Sequence, residues 1–162
     1  MVIDSLEFAR RQGELSGRLR LGALPRLAEM LFVDAGGSLG YKVSGEIAGN
    51  ESFLVLQLTG LLQLTCQRCL GALEFALSVR SRVMLVEPGS SWPEDAQTGG
   101  LEDEACDAIE ASHELGLVPL IEDEILLALP IVPRHEHCES PWAVAASKEA
   151  SPFAQLANLR RN

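Results

Sequence analysis

Aromatic side chains are scarce in this 162-residue chain, which holds two Trp, one Tyr and five Phe. So few flat rings disfavour a platform on which bases stack. No apolar run approaches the roughly 18 residues that a membrane-spanning helix needs. The opening Met1-Val-Ile-Asp-Ser5 also lacks the basic-then-apolar order of a secretory signal. We therefore expect a cytoplasmic protein that engages no membrane. A Gly-rich phosphate loop, a G-x-S-x-G elbow and an H-E-x-x-H helix are all missing. No small-molecule substrate is evident, and the expectation is a protein that is not an enzyme. What the chain does have is a 47% apolar fraction, enough at this length for a single domain over residues 1–162 built on Leu and Val without disulfides.

Basic residues are absent from one long stretch. Between Glu87 and Glu124 there are 12 acidic residues and no Lys or Arg, whereas each flanking region carries a net charge of +1. The formal net charge of -10 is thus the property of one insert. Its first part, residues 88–100, mixes Pro, Gly and Ser with acids and follows neither a helix nor a strand period, which predicts a disordered acidic loop. Such a segment can be a solvated linker, or an RNA-mimicking strip that occupies a basic protein's surface. With few residues able to bury apolar area, it should leave Trp92 outside the core. The Ala-, Ser- and Pro-rich tail, 140–162, reads as loosely ordered, with one last short helix from Ser151 to Arg161.

The rest of the chain is periodic. Asp4 is placed to cap a helix over residues 5–12 that Gly13 stops. Residues 14–21 alternate as a short strand, Pro25 opens a short helix through Leu31, and residues 39–48 alternate again. The strongest signal is Phe53 to Thr65, where Leu54, Leu56, Leu58, Leu62 and Leu64 share one face. After Cys66-Gln-Arg-Cys69-Leu-Gly71 the alternation resumes from Leu73 to Leu85. Two such strands across a six-residue connection should pair antiparallel, with the cysteines at the hairpin tip. Residues 106–111 form a candidate short strand in which Cys106 packs as a small hydrophobe, and His113 stands isolated and exposed. Pro119 to Leu129 reads as a helix with Pro119, Glu122, Asp123 and Glu124 near its positive end, the acids forming a solvated first turn. The expected fold is α+β, an antiparallel sheet around a long central hairpin with flanking helices and an acidic loop insertion.

Four cysteines in a chain without an export signal point to thiols or metal ligands rather than a disulfide frame. A tetrahedral zinc site needs four N or S donors, and a C-x-x-C turn supplies two of them at one point. The second pair must come from His135-Glu-His137-Cys138, the one place that offers Cys and His together. Cys66, Cys69, Cys138 and His135, with His137 as the alternative fourth ligand, are therefore the candidate zinc set. A redox C-x-x-C wants its first Cys at a helix N-terminus, where the thiol pKa falls; here the motif lies between strands. Thiol exchange by a cytoplasmic oxidoreductase or redox-responsive protein through Cys66 and Cys69 stays as the alternative. Cations that could contact RNA are Arg10, Arg11, Arg18, Arg20 and Arg26 near the start, and Arg80 and Arg82 on one strand.

Three blocks in order carry a resemblance. Leu64-Thr-Cys66-Gln-Arg-Cys69, then Ile121-Glu-Asp-Glu-Ile-Leu-Leu-Ala-Leu-Pro-Ile-Val-Pro133 with His137-Cys138, and finally Pro152-Phe-Ala-Gln-Leu, resemble the YceD family of large ribosomal RNA subunit accumulation proteins. The resemblance implies a role in synthesis, processing or stability of 23S rRNA during large-subunit assembly. It implies no enzymatic reaction, and as partners a large-subunit ribosomal protein, precursor 23S rRNA, or both. It also implies paired Cys or His donors after the downstream proline block.

Overall fold

The computed structural model describes residues 1–32, 37–92 and 106–138. Its centre is a five-stranded sheet in the order β2-β3-β4-β5-β6, built from β2 (Glu14–Arg20), β3 (Ser38–Ala48), β4 (Glu51–Thr65), β5 (Ala72–Val86) and β6 (Asp107–Glu110). β3 turns into β4 through Gly49, whose φ of +62° is the left-handed value that a two-residue hairpin requires. β4 and β5 pair antiparallel from Ser52↔Leu85 to Thr65↔Ala72, in the register that puts their Leu and Val positions on one face. The sheet is therefore mostly antiparallel, with one exception that the sequence pattern does not signal. β6 runs parallel to β5, and residues 87–106 supply the long crossover that a parallel neighbour needs.

Period-2 patterning in the strands divides the sheet into two unlike faces. One carries Leu39, Val43, Leu54, Leu56, Leu58, Leu62, Leu64, Leu77, Val83 and Leu85 into the core. Each fully buried Leu there contributes on the order of 2 kcal/mol by leaving water. The helices α1 (Ser5–Arg10), α2 (Pro25–Ala28) and α3 (Leu117–Ala128) cover this face with Ala9, Leu27, Leu117, Leu120, Ile121 and Ile125. Gly45 is where α1 comes closest, because a Cβ there would stand 2.5 Å from the Phe8 carbonyl oxygen. No described helix is long and apolar enough to cross a membrane.

Several local expectations need correction. The second helix stops at Ala28, short of Leu31, and Leu31 instead bridges to Leu64 on β4. α3 begins at Leu117, so Pro119 stays in its first turn but the acids do not. Glu122 is buried rather than solvated, at 3% exposure, because its carboxylate serves a different helix, as described below. Cys106 is only half-buried. Trp92 is 54% exposed, outside the core as expected. Of the acidic loop 88–100, residues 93–100 lie outside the described residues, as do the tail 140–162 and its short helix.

The start of the chain is tied down more firmly than its pattern indicates. β1 (Val2–Ile3) pairs with β7 (Leu115–Gly116), and Ser5 Oγ both donates to the Ser112 carbonyl at 3.0 Å and accepts from the Ser112 N–H at 2.9 Å. Asp4 Oδ1 accepts from the Glu7 N–H at 2.9 Å, the N-cap that its position predicts. Its other oxygen lies 2.6 Å from His113 Nδ1, so His113 is exposed but not isolated. The Glu7 N–H and then His113 hold the Asp4 carboxyl below its usual 3.8, while Asp4 raises His113 above its usual 6.5. The Asp4 contribution is present above about pH 3.8 and lost as pH falls through its lowered pKa. The His113 contribution is complete below about pH 6.5 and lost as pH rises through its raised pKa. A double-mutant cycle of Asp4→Asn and His113→Ala, which keeps a capping side chain, is expected to show coupling at pH 5 that vanishes by pH 9 and shrinks in high salt.

Candidate metal centre

The tip of the central hairpin is a tight knuckle. The Cys66 N–H donates to the Gly71 carbonyl and the Leu70 N–H to the Cys66 carbonyl, both at 2.9 Å. Leu70 takes φ 58° to close the turn, a conformation that a non-Gly residue adopts at some cost. Beyond α3, Pro130 and Pro133 end the helix and return the chain under this tip, where the Gln67 N–H donates to the Pro133 carbonyl at 2.8 Å. Arg68 Nη1 donates to the Cys138 carbonyl at 3.0 Å. One backbone bond and one Arg68 side-chain bond therefore dock the downstream segment on the knuckle independently of its sulfurs.

That docking gathers Cys66, Cys69, His135 and Cys138, whose ligand atoms all lie within 4.8 Å of one another. Cys66 Sγ and Cys138 Sγ are 3.8 Å apart, and Cys69 Sγ is 3.4 Å from His135 Nδ1. A tetrahedron with bonds of about 2.3 Å has edges of about 3.8 Å, so the four atoms are spaced like the corners of a zinc site. All four described cysteines are free thiols, consistent with a separation far beyond the roughly 2.05 Å of a disulfide. His135 Nε2 sits 2.9 Å from the Ala72 carbonyl. That oxygen can only accept, so Nε2 carries the proton and Nδ1 turns its lone pair toward the sulfurs. His137 is exposed and outside the cluster.

The electrostatics of the sulfurs are uneven. The Cys69 N–H, with those of His135 and Arg68, points at Cys66 Sγ and lowers its pKa to about 5 against the opposing effect of burial. Cys66 is thus a thiolate at neutral pH. Burial and then the Cys66 and Cys69 sulfurs push Cys138 the other way, since a second anion beside the first is disfavoured. A dication removes that conflict by deprotonating coordinated thiols. The donor set and its spacing fit a zinc ion; four protein donors leave no open position for a substrate, as in structural rather than catalytic sites.

The candidate RNA-contact arginines do not all share a surface. Arg10 and Arg11 lie at the end of α1, where Arg10 pairs with Glu87 at 3.3 Å and Arg11 pairs with Glu7. Arg18 and Arg20 lie on β2, on the sheet face away from the helices. Arg82 pairs with Glu46 at 2.9 Å and stacks on the Phe53 ring at 3.6 Å. Arg26 is not available either: its Nε donates to Glu122 Oε2 at 3.0 Å and its Nη1 to Asp123 Oδ1 at 2.6 Å.

Glu122 is the residue that pattern reading missed. Leu24 occupies the N-cap of α2 and offers no capping oxygen. Glu122 Oε1 instead accepts from the Arg26 and Leu27 N–H groups at 2.8 and 3.1 Å. Burial alone would raise its carboxyl, but the Leu27 N–H and Arg26 outweigh that and hold it below the usual 4.5. A carboxylate on α3 thus caps α2 from the distant end of the chain. The absence of a capping side chain before Pro25 was the signal available.

Residues 54–160 match the family model described as large ribosomal RNA subunit accumulation protein YceD. The matched span includes the hairpin, the knuckle, α3 and His135 to Cys138. The chain is also similar to the large ribosomal RNA subunit accumulation protein YceD of Haemophilus influenzae, with 29% identity over 180 residues that cover 99% of this chain and 95% of the relative. No solved structure matches it significantly. With two thirds of its length under the family model and nearly all of it aligned to that relative, the chain belongs to the YceD family.

Proposed function

We propose that this protein is a non-enzymatic cytoplasmic factor that supports synthesis, processing or stability of 23S rRNA during large-subunit assembly, acting through a large-subunit ribosomal protein or precursor 23S rRNA. The observation that carries the reading is the closed donor set of Cys66, Cys69, His135 and Cys138 in a member of a family named for large ribosomal RNA accumulation. A zinc ion held there supplies a cross-link, not a reaction. It fastens the hairpin tip to the chain beyond α3 and so ties the sheet and α3 into one binding body within a single domain. The acidic loop that begins after Glu87 speeds encounter with a basic ribosomal protein.

The alternative, thiol exchange, draws on the depressed pKa of Cys66. Against it, Cys66 is fully buried and faces three further donors. The readings separate in cells that lack the chain. Their 23S to 16S rRNA ratio is expected to fall and to be restored by the native chain but not by Cys66→Ser. An unchanged ratio contradicts the assembly role, and a deficit that tracks disulfide formation favours the redox one. Capture of partners from lysate with and without ribonuclease then separates a ribosomal protein from RNA.

A further inference from the structure

Among the described residues the sheet face opposite the helices is exposed across the middle of β2 to β5, although Phe53, Val55 and Val86 at one end of it are buried, and its charges are segregated along the strands. Register places Arg20, Ser38, Leu61 and Ala76 in one row across it, Arg18, Gly40, Thr59 and Ser78 in the next, and Ser16, Lys42, Gln57 and Arg80 in a third. These three rows hold four cations and no carboxylate. The acids of this face fall outside them, with Glu14, Glu46 and Glu51 beyond the third row and Glu74 beyond the first. Nearly every side chain in the band is exposed. Among the described residues Arg18, Arg20 and Arg80 make no ion pair, and Lys42 shares Glu14 at 2.9 Å. At the centre, Gly40 leaves a shallow depression of about 440 Å³ among Ser16, Arg18, Lys42, Gln57 and Thr59.

We propose that this band is an RNA-binding surface that takes the phosphates of ribosomal RNA, with one phosphate seated over Gly40 between Arg18 and Lys42. The inference rests on the assembly reading above and names its partner at a surface.

Three lines of chemistry favour RNA over an acidic protein. The cations are mainly arginines, whose planar forks suit phosphate oxygens. Between them stand hydroxyl and amide groups, Ser16, Gln57, Thr59 and Ser78, that can bond phosphate or 2′-hydroxyl oxygens. Leu61 and Ala76 are the band's only apolar side chains, whereas a protein interface wants an apolar centre. Strands about 4.8 Å apart make the band about 14 Å wide from β2 to β5, room for two or three phosphates. With no aromatic ring to stack on bases, it reads the backbone and not the sequence.

The test uses the full chain, its Arg18→Ser/Arg20→Ser/Arg80→Ser variant, and an Arg10→Ser/Arg11→Ser control, with transcribed 23S rRNA titrated over a range of KCl concentrations. Matching thermal melts establish that the variants fold. The triple variant is expected to bind at least tenfold more weakly at moderate salt. Its log K against log salt slope should be shallower by about 2, three phosphates at about 0.7 each, and the control should stay within twofold. Binding by the triple variant within twofold of the native chain overturns the proposal. So does a ribosomal protein that survives ribonuclease on the native chain and is lost from the triple variant. In cells, a triple variant that fully restores 23S rRNA sinks this surface alone, whereas a deletion that leaves 23S rRNA unchanged sinks the assembly reading.

Discussion

Replacing Cys66 by Ser is expected to weaken zinc binding by more than the roughly 100-fold that loss of a mere supporting partner costs a metal site. Cys66 has its pKa drawn down to about 5 by the N–H groups around it, and it sits at the bottom of the knuckle with no exposure. Serine keeps the size of the side chain but not the thiolate, so the hairpin tip and the chain from Pro133 onward lose a charged ligand and are held mainly by the Gln67, Arg68 and His135 hydrogen bonds. Because metal binding in such sites is linked to folding, the native chain should melt at a lower temperature when a chelator is added, while the variant should not respond. His135→Ala is expected to weaken binding in the same direction, and His137→Ala to leave it unchanged, since only His135 belongs to the cluster. Chelator competition on the three variants decides the matter. Equal zinc affinity for native and Cys66→Ser chains would remove the assigned ligand set.

Glu122→Ala is expected to destabilise the fold by about 3 kcal/mol in urea denaturation. It leaves two backbone N–H groups of α2 and Arg26 Nε without their acceptor where the carboxylate is almost fully buried. Glu122→Gln keeps one oxygen for the backbone donors but loses the charge, and should cost about half as much. Arg26→Ala should cost less than Glu122→Ala, because Arg26 is half exposed and the carboxylate keeps both N–H donors. The lowered pKa fixes the pH dependence. The stabilisation is complete above about 4.5, the ordinary value of the group, and is lost as pH falls through the lower folded value. As pH falls through that lowered value the native chain and Glu122→Gln should therefore converge. Glu122→Ala within about 0.5 kcal/mol of the native chain at pH 7 would show that the cap carries no weight.

Much of the fold is legible along the chain because a strand's period of two survives without tertiary help. Leu54 to Leu64 and Leu73 to Leu85 announce both their strands and the face they bury, and the short connection between them dictates an antiparallel hairpin. The N-cap at Asp4 is legible for a similar reason, since donor and acceptor are three residues apart. What stays hidden is long-range. The parallel pairing of β6 depends on the path through the acidic segment, and the role of Glu122 depends on α2, whose own sequence lacks a cap. Of the site, spacing points to the Cys66 and Cys69 pair and to His135, His137 and Cys138 as a set. It cannot choose between the histidines, because that choice rests on the Ala72 carbonyl turning the His135 ring. The arginines mislead in the same way: adjacent in sequence, Arg10 and Arg11 end on a helix, while Arg18 and Arg80, far apart in sequence, come onto one sheet face only through the register of β2 to β5.

Zinc K-edge X-ray absorption on the full chain, purified or reconstituted with one equivalent of zinc, tests the central claim most directly. The account predicts one tightly held zinc with three sulfur neighbours near 2.3 Å and one nitrogen near 2.0 Å, and one sulfur fewer in Cys138→Ser. A chain that takes up no zinc while all its thiols react freely, or a zinc bound by oxygen and nitrogen alone, would contradict it.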